Sequence, residues 1–209
     1  MKVILDIVVA SANPDKISEM REILPAGAPE LWARIRFRSM REVGFTGDIV
    51  EDGASFAENA LIKARAVHAF TGGYVLADDS GLAVDLLDGA PGIYSARFAG
   101  ENAGYPEKIA RLQAMLRPWL PEQWLASFIC VIALIRPDGS HAFARGECRG
   151  RIAEQARGQY GFGYDPIFYL PERGVTMAEL PPEVKHRISH RGQALRAAAD
   201  LLLQELTQP

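Results

Sequence analysis

The chain has 209 residues, of which 48% are hydrophobic and 23% charged, and its formal net charge is −3. This hydrophobic share is sufficient for a packed core and excludes an intrinsically disordered chain. Lys and Arg form no dominant run. The clustered positive charge of a duplex-binding protein is therefore absent, and we expect no nucleic-acid partner.

We expect neither a transmembrane segment nor a signal peptide in this sequence. No stretch approaches the roughly 18 to 20 apolar residues of a transmembrane helix, and the N-terminal segment lacks the cleavage site of a signal peptide. Cys130 and Cys148 have neither the paired spacing of a zinc site nor the density of a disulfide scaffold. We expect a cytoplasmic protein with no membrane partner.

The first predicted elements are a strand and a helix start. Residues 3–10 are apolar and β-branched, which is typical of a buried strand. Asn13 is a suitable N-cap and Pro14 a suitable first helical residue, so Ser11 and Lys16 flank a helix N-terminus. Free N–H groups and a partial positive charge make such a terminus a phosphate site, although an ordinary capped helix fits the same residues.

A charged strand over residues 34–40 and a Gly-rich loop lead to a second helix start. Ser55 and Glu58 have the capping-box spacing. Glu51 precedes this helix and Lys63 lies on it, on the same face as Asn59. Glu51 fits either an exposed loop acid or a metal ligand, and Lys63 fits either a surface lysine or a ligand contact.

Two adjacent carboxylates, Asp78 and Asp79, follow the short apolar strand 74–77 and precede Ser80-Gly81. This order predicts a strand end that opens into a turn. Carboxylates there suit Mg²⁺, which usually takes one or two protein carboxylates together with phosphates and water. Taken alone, Asp-Asp-Ser-Gly favours an ordinary turn over a metal site.

The second half of the chain alternates helical and strand-like patterns. We expect a helix over 106–116 and a hairpin in which residues 137–140 connect strand 125–135 to strand 141–148. A loop of glycines and aromatics, 158–166, precedes a strand over 167–170 and fits a ligand site or a packed turn equally well.

The most basic patch, residues 185–191, precedes a terminal helix. It fits a solvated helix start or a site for phosphate and base. His186 and His190 are four residues apart, but no third ligand is nearby, so a zinc site is not favoured.

No repeat or long polar linker divides the chain. We therefore expect one α/β domain over residues 1–209, an elongated unit with a central mixed sheet flanked by helices. A cleft between two lobes would hold the ligand.

Acids for a metal, lysines for phosphates and aromatics for a base together suit a nucleoside triphosphate. In its motifs the chain resembles the inosine triphosphate pyrophosphatase family over nearly its whole length. The motifs are Ser11-x-Asn13-x-x-Lys16, Glu51 with Ser55-Phe56-x-x-Asn59-Ala60-x-x-Lys63-Ala64, Ala77-Asp78-Asp79-Ser80-Gly81-Leu82, Gly89-x-Pro91-Gly92-x-Tyr94-Ser95-Ala96-Arg97, Gly161-Phe162-Gly163-Tyr164-Asp165-Pro166 and Ser189-His190-Arg191.

This resemblance implies hydrolysis of ITP, dITP and XTP to the monophosphate and pyrophosphate by a homodimer. It implies that Asp79 is the proton acceptor and, with Glu51, a Mg²⁺ ligand, supported by Asp78. The implied contacts to triphosphate or sugar are Ser11, Asn13, Lys16, Lys63, Ser80 and Lys185. The implied base site consists of Phe162, which stacks on the purine, and of Gly163, Tyr164, Asp165, His190 and Arg191 around its edge.

Two alternative functions also fit parts of this pattern. A Maf-like nucleotide pyrophosphatase would act on other nucleotides, and the motifs at 162–165 and 189–191 argue against it. A nucleotide-binding sensor without hydrolysis would not need Asp79 as a base, so the intact acids argue against a sensor.

Overall fold

The structure is a computed structural model that describes residues 5–26 and 29–207. Within these ranges, seven strands form one sheet in the order β2-β1-β3-β4-β5-β6-β7. The strands are β1 (Leu5–Val9), β2 (Ile35–Ser39), β3 (Tyr74–Val84), β4 (Leu125–Ile135), β5 (His141–Ile152), β6 (Phe168–Leu170) and β7 (Val175–Thr176). The α-helices are α1 (Pro14–Ala26), α2 (Pro29–Trp32), α3 (Phe56–Thr71), α4 (Tyr105–Leu116), α5 (Pro182–Ile188) and α6 (His190–Thr207).

The sheet is mixed, as the sequence predicts. Strand β1 is parallel to both β2 and β3, whereas β6 is antiparallel to β5 and to β7. The predicted hairpin is confirmed: β4 and β5 are neighbours, and the Arg136 N–H donates to the Ser140 carbonyl oxygen across the turn at 2.9 Å. Only an antiparallel pair can be joined by so short a connection.

The chain divides into two compact units. Unit 1 comprises the described residues within Met1–Asp79, Cys130–Gly146 and Arg191–Pro209, and unit 2 comprises Ser80–Ile129 and Glu147–His190. That residues 1–209 form one domain, and that a cleft lies between two lobes, stay predictions.

In unit 1, alternate residues of the strands pack against different helices. Ile7 and Leu76 belong to a buried cluster with residues of α1 and α6, whereas Val8, Val75 and Ala77 belong to a second cluster with residues of α3. Successive side chains of a strand point to opposite faces of the sheet. Unit 1 therefore has an α1/α6 face and an α3 face.

Unit 2 has its own buried core, which includes Leu82 of β3, Leu112 of α4 and Phe168 of β6. Within it, the Phe128 ring contacts the Phe168 ring at a centroid distance of 4.2 Å. The same Phe128 ring stacks on His190 at 4.7 Å. The Phe128 ring thus joins β4 to β6 and to the first residue of α6.

Both predicted helix starts are confirmed. Asn13 Oδ1 accepts from the N–H groups of Asp15 and Lys16 at 2.9 and 3.3 Å, and so caps α1. Ser55 Oγ accepts from the Glu58 N–H at 3.2 Å and caps α3. The return bond of the capping box runs from the Ala54 N–H, not that of Ser55, to Glu58 Oε2.

The predicted turn at Asp78 and Asp79 is wrong. Strand β3 continues through these residues and Ser80-Gly81 to Val84, so both carboxylates lie inside a strand and not at its end. The turn preference of Asp, Ser and Gly is a local tendency, and pairing within the sheet overrides it.

Several predicted bounds shift slightly. The predicted strand 3–10 is β1 at Leu5–Val9, and residues 3 and 4 lie outside the described residues. His186 and His190 lie on different helices, because α5 ends at Ile188 and Ser189 is extended. Among the described residues, no helix combines the length and the apolar character needed to span a membrane.

Candidate active site

On the α1/α6 face of unit 1, Asp78 lies among cationic side chains. Lys16 Nζ, from the first turn of α1, is 2.9 Å from Asp78 Oδ2. Arg191 Nη2 is 3.6 Å from the same oxygen, and Arg191 Nη1 donates to Glu19 Oε2 at 2.5 Å. Helices α1 and α6 thus bring two cations and a second acid to a carboxylate in mid-strand.

The charge state of Asp78 follows from these neighbours. Burial by itself would raise the pKa of Asp78, but the charges of Lys16, Arg191 and Lys63 outweigh it and hold that pKa well below its ordinary value. The pKa of Arg191 is raised in the same environment. Burial by itself would lower it, but the charges of Asp78 and Glu19 outweigh the effect of burial. Asp78 is therefore a buried, ionised anchor for cations.

On the α3 face, Asp79 has different partners. Lys63 Nζ donates to Asp79 Oδ1 at 3.2 Å and to Glu51 Oε2 at 2.7 Å. Asn59 Nδ2 donates to Asp79 Oδ2 at 3.3 Å. The predicted common face of Asn59 and Lys63 is confirmed, since both residues contact the same carboxylate.

The pKa values of Asp79 and Asp78 are shifted in opposite directions. Burial raises the pKa of Asp79 above its ordinary value, the charges of Lys63 and Lys16 only partly offset this, and Glu51 and Asp78 raise it further. A carboxylate with a raised pKa is a better proton acceptor. The pKa of Lys63 is also raised, because the charges of Asp79, Asp78 and Glu51 outweigh the effect of its burial.

Glu51 and Asp79 have a donor set that fits Mg²⁺. Both carboxylates already converge on one cationic group, the Lys63 ammonium. Among the described residues, no group of three or more His, Cys, Asp or Glu side chains could hold a metal by itself. Two carboxylates are nevertheless the usual protein contribution to a Mg²⁺ site that also binds substrate phosphates and water.

The start of α1 has its polar groups internally paired. Ser11 Oγ accepts from the Asn13 N–H at 3.2 Å, and the Asn13 side chain accepts from Asp15 and Lys16. A phosphate at this terminus would therefore take the place of the Ser11 and Asn13 oxygens. The Lys16 ammonium supplies the full positive charge beside it.

In unit 2, the aromatic loop is closed by a buried ion pair. Asp165 Oδ2 accepts from Lys185 Nζ at 2.7 Å and from the Phe162 N–H at 2.9 Å. The same Lys185 Nζ lies 4.9 Å from the centroid of the Phe162 ring. Gly161, with φ +72°, leaves room for this arrangement, since a Cβ there would lie 2.1 Å from Asp165 Oδ2.

Four other predicted site residues also belong to unit 2. Tyr164 is buried, and its hydroxyl donates to the Ser95 carbonyl oxygen at 3.2 Å. Gly163 precedes it with φ +73°, Ser80 is a half-buried residue of β3, and the buried His190 stacks on Phe128.

The structure thus groups the predicted residues into three sets. Lys16, Asp78 and Arg191 form one, Glu51, Lys63 and Asp79 the second, and Phe162, Asp165 and Lys185 the third.

Two contacts of the site were not predicted from the sequence. Glu19 binds Arg191 and follows Lys16 by three residues, a spacing that places both on one helix face. Asn59 lies four residues before Lys63, a spacing that also places both on one helix face. The bond from Asn59 to Asp79 was not predicted.

Comparison with known proteins gives concordant matches. The Ham1 family model matches residues 7–201. A dITP/XTP pyrophosphatase of Bacillus subtilis is 41% identical and covers 97% of this chain and 99% of its own length. A dITP/XTP pyrophosphatase of Geobacter sulfurreducens is 45% identical and covers 94% of this chain and 96% of its own length.

Solved structures agree with these matches. A HAM1 protein of Coxiella burnetii has a TM-score of 0.85 at 43% identity and covers 96% of this chain and 100% of its own. A nucleoside-triphosphatase, dITP/XTP pyrophosphatase, of Mycobacterium abscessus has a TM-score of 0.74 at 42% identity, with coverage of 95% and 99%.

Proposed function

This chain belongs to the Ham1 family, and from that membership we propose that it hydrolyses non-standard purine nucleoside triphosphates. The substrates are dITP, XTP and ITP, and the products are the monophosphate and pyrophosphate. Relatives of nearly equal length at 41% and 45% identity are dITP/XTP pyrophosphatases. The observation that carries the proposal is the convergence of the Asp79 and Glu51 carboxylates on the Lys63 ammonium, at 3.2 and 2.7 Å.

In the proposed reaction, water attacks the α-phosphorus. A bond forms between the water oxygen and phosphorus, and the bond from phosphorus to the oxygen that bridges to the β-phosphate breaks. The pyrophosphate leaves with that oxygen, and the water proton passes to the Asp79 carboxylate. Burial raises the pKa of Asp79 above its ordinary value, and this direction supports the assignment, because it makes the carboxylate a better proton acceptor.

Positive charge for the triphosphate comes from Lys16 and Lys63, and Ser11 and Asn13 lie at the start of α1 beside Lys16. Fixed cations that oppose the charge of the leaving pyrophosphate stabilise the transition state without a covalent intermediate. Asp78 holds Lys16 in place through the 2.9 Å ion pair.

Glu51 and Asp79 would hold Mg²⁺. When bound, the ion would neutralise charge on the triphosphate oxygens. The support is the chemistry of the two carboxylates, which converge on the Lys63 ammonium.

For the base we propose that Phe162 stacks on the purine. Around its edge we place Gly163, Tyr164, Asp165, His190 and Arg191, and we assign Ser80 and Lys185 to the triphosphate or sugar. Donors that match a 6-oxo group would face the amino group of adenine, and each mispaired buried polar group costs about 1–3 kcal/mol. ATP is therefore rejected.

We also propose that the protein is a cytoplasmic homodimer. Cys130 and Cys148, both buried, are free thiols, which agrees with a reducing compartment. The dimer is implied by the family resemblance, and light scattering of the purified protein tests it.

The test of the proposed function is pyrophosphate release from ITP, XTP, dITP, GTP and ATP, with and without Mg²⁺. Release from the first three that is much faster than from ATP, and that requires Mg²⁺, is the expected result. Equal rates for ATP and ITP would overturn the proposal, binding of ITP without turnover would support the sensor alternative, and a preference for other nucleotides would support a Maf-like enzyme.

A further inference from the structure

Asn59 is a fully buried residue of α3 whose side-chain amide joins two parts of the proposed active site. Its Oδ1 accepts from the Gly53 N–H at 2.9 Å, and its Nδ2 donates to Asp79 Oδ2 at 3.3 Å. We propose that Asn59 is a positioning residue that sets the separation between Glu51 and Asp79. This inference rests on the proposed function, in which these two acids act together.

The chemistry of the amide gives the link a single orientation. The Gly53 N–H is only a donor and requires the Asn59 oxygen, whereas the ionised Asp79 carboxylate is only an acceptor and requires the Asn59 nitrogen. A flipped amide would lose both bonds. Asn59 therefore connects the loop that carries Glu51 to the strand that carries Asp79 in one geometry.

The loop lies against the start of α3 too closely for a side chain at Gly53. A Cβ built on Gly53 would lie 2.8 Å from Asn59 Oδ1 and 2.8 Å from Glu58 Cβ. Contacts this short are not found for real Cβ atoms, and one of them is to a helical side chain that is itself held in place. Gly53 and Asn59 together are what allow the Glu51 loop to approach Asp79.

Lys63 supplies a second link between the same acids, through its bonds of 2.7 and 3.2 Å to Glu51 and Asp79. Lys63 is also a proposed triphosphate contact, and its long side chain must then share its charge with substrate. The neutral Asn59 link is fully buried and makes both bonds to the protein itself. It is therefore the link that persists when substrate binds.

Two variants separate the two bonds of Asn59. Asn59→Asp retains an acceptor for the Gly53 N–H but replaces the donor to Asp79 with a carboxylate that repels it. Gly53→Ala leaves Asn59 in place but forces the Glu51 loop away from it. Ser55→Ala is the control, because the Ser55 side chain caps the same helix through the Glu58 N–H.

The measurements are kcat for pyrophosphate release from dITP, the affinity of the nucleotide-free protein for Mn²⁺ by electron paramagnetic resonance, and Tm. We expect Asn59→Asp to lower kcat by about 10- to 100-fold. We expect Gly53→Ala to weaken Mn²⁺ binding by about tenfold, the usual effect of losing an outer contact to a metal ligand. We expect Ser55→Ala to lower Tm and to change neither kcat nor the affinity for Mn²⁺.

A purely structural role predicts a different result. If both Asn59→Asp and Gly53→Ala lower only Tm, with kcat and Mn²⁺ affinity equal to those of Ser55→Ala, the inference is wrong. If Asn59→Asp does not fold, Gly53→Ala alone decides it through Mn²⁺ affinity. A parent protein that releases no pyrophosphate would overturn the proposed function, and the Mn²⁺ comparison would still decide whether the link orders the two acids.

Discussion

Asp78 and Asp79 are adjacent in sequence but contact different helices from opposite faces of β3. Asp78 Oδ2 lies 2.9 Å from Lys16 Nζ of α1, and Asp79 Oδ1 lies 3.2 Å from Lys63 Nζ of α3. The pKa of Asp78 is lowered and that of Asp79 is raised. One carboxylate thus stays ionised and holds cations, while its neighbour can accept a proton, so the two asparagine variants should behave differently.

Asp79→Asn should abolish turnover while ITP still binds. The amide cannot accept the proton of the attacking water, and loss of a general base typically costs 10²- to 10⁴-fold. Single-turnover pyrophosphate release measures the loss, and calorimetric titration with ITP measures binding. Retained activity would remove Asp79 as the base, and loss of ITP binding would place it in substrate recognition.

Asp78→Asn should flatten the dependence of stability on pH in the acid range. The pKa of Asp78 is lower in the folded protein than its unfolded value of about 3.9. Asp78 therefore contributes stability above about pH 4 that is lost as the pH falls toward the folded pKa. The parent should lose more free energy of unfolding between about pH 5 and pH 2 than the variant does.

Urea denaturation at several pH values measures this difference. Asp79 is present in both proteins, and only the part of its pKa rise that Asp78 causes differs between the two curves. At neutral pH the variant should be less stable, because Lys16 and Arg191 lose their ionised partner. Parallel curves for parent and variant would contradict the assigned charge state of Asp78.

Gly161→Ala should weaken the proposed base site. The new Cβ would lie 2.1 Å from Asp165 Oδ2, so the bonds that Asp165 accepts from Lys185 Nζ and from the Phe162 N–H cannot both remain. We expect the preference for ITP over ATP, measured as the ratio of kcat/KM values, to fall by about tenfold.

Gly174→Ala is the matched control for this variant. Gly174 has φ +70°, close to the +72° of Gly161, but no atom lies within 4 Å of its hypothetical Cβ. Both variants carry the same backbone penalty of about 1 kcal/mol, and only Gly161→Ala carries the clash. Equal selectivity in the two variants would place base recognition away from Asp165.

Ala99→Gly should stabilise the protein by about 1 kcal/mol, because Ala99 has φ +73°, a conformation in which only glycine is unstrained. The free energy of unfolding in urea measures the gain. Ala66→Gly, in the interior of α3, should lose about 1 kcal/mol. A loss of stability in both variants would show that the local strain at Ala99 is relieved elsewhere.

The elements predicted well are those encoded by neighbouring residues. Asn13 and Ser55 cap their helices within three residues of themselves, and the predicted strands over 34–40 and 125–135 correspond to β2 and β4. The length of β3 was not predictable in this way. Asp78 to Gly81 have turn-forming residues, and only pairing with neighbouring strands keeps them extended.

The sequence by itself determined the family, the helix starts and the set of charged residues, because motifs and caps depend on short spacings along the chain. Tertiary structure decided which acid contacts which cation. The alternation of side chains along β3 sends Asp78 toward Lys16 and Arg191 and Asp79 toward Asn59 and Lys63. Burial and the charges gathered at each face then move the two pKa values apart, which no local pattern encodes.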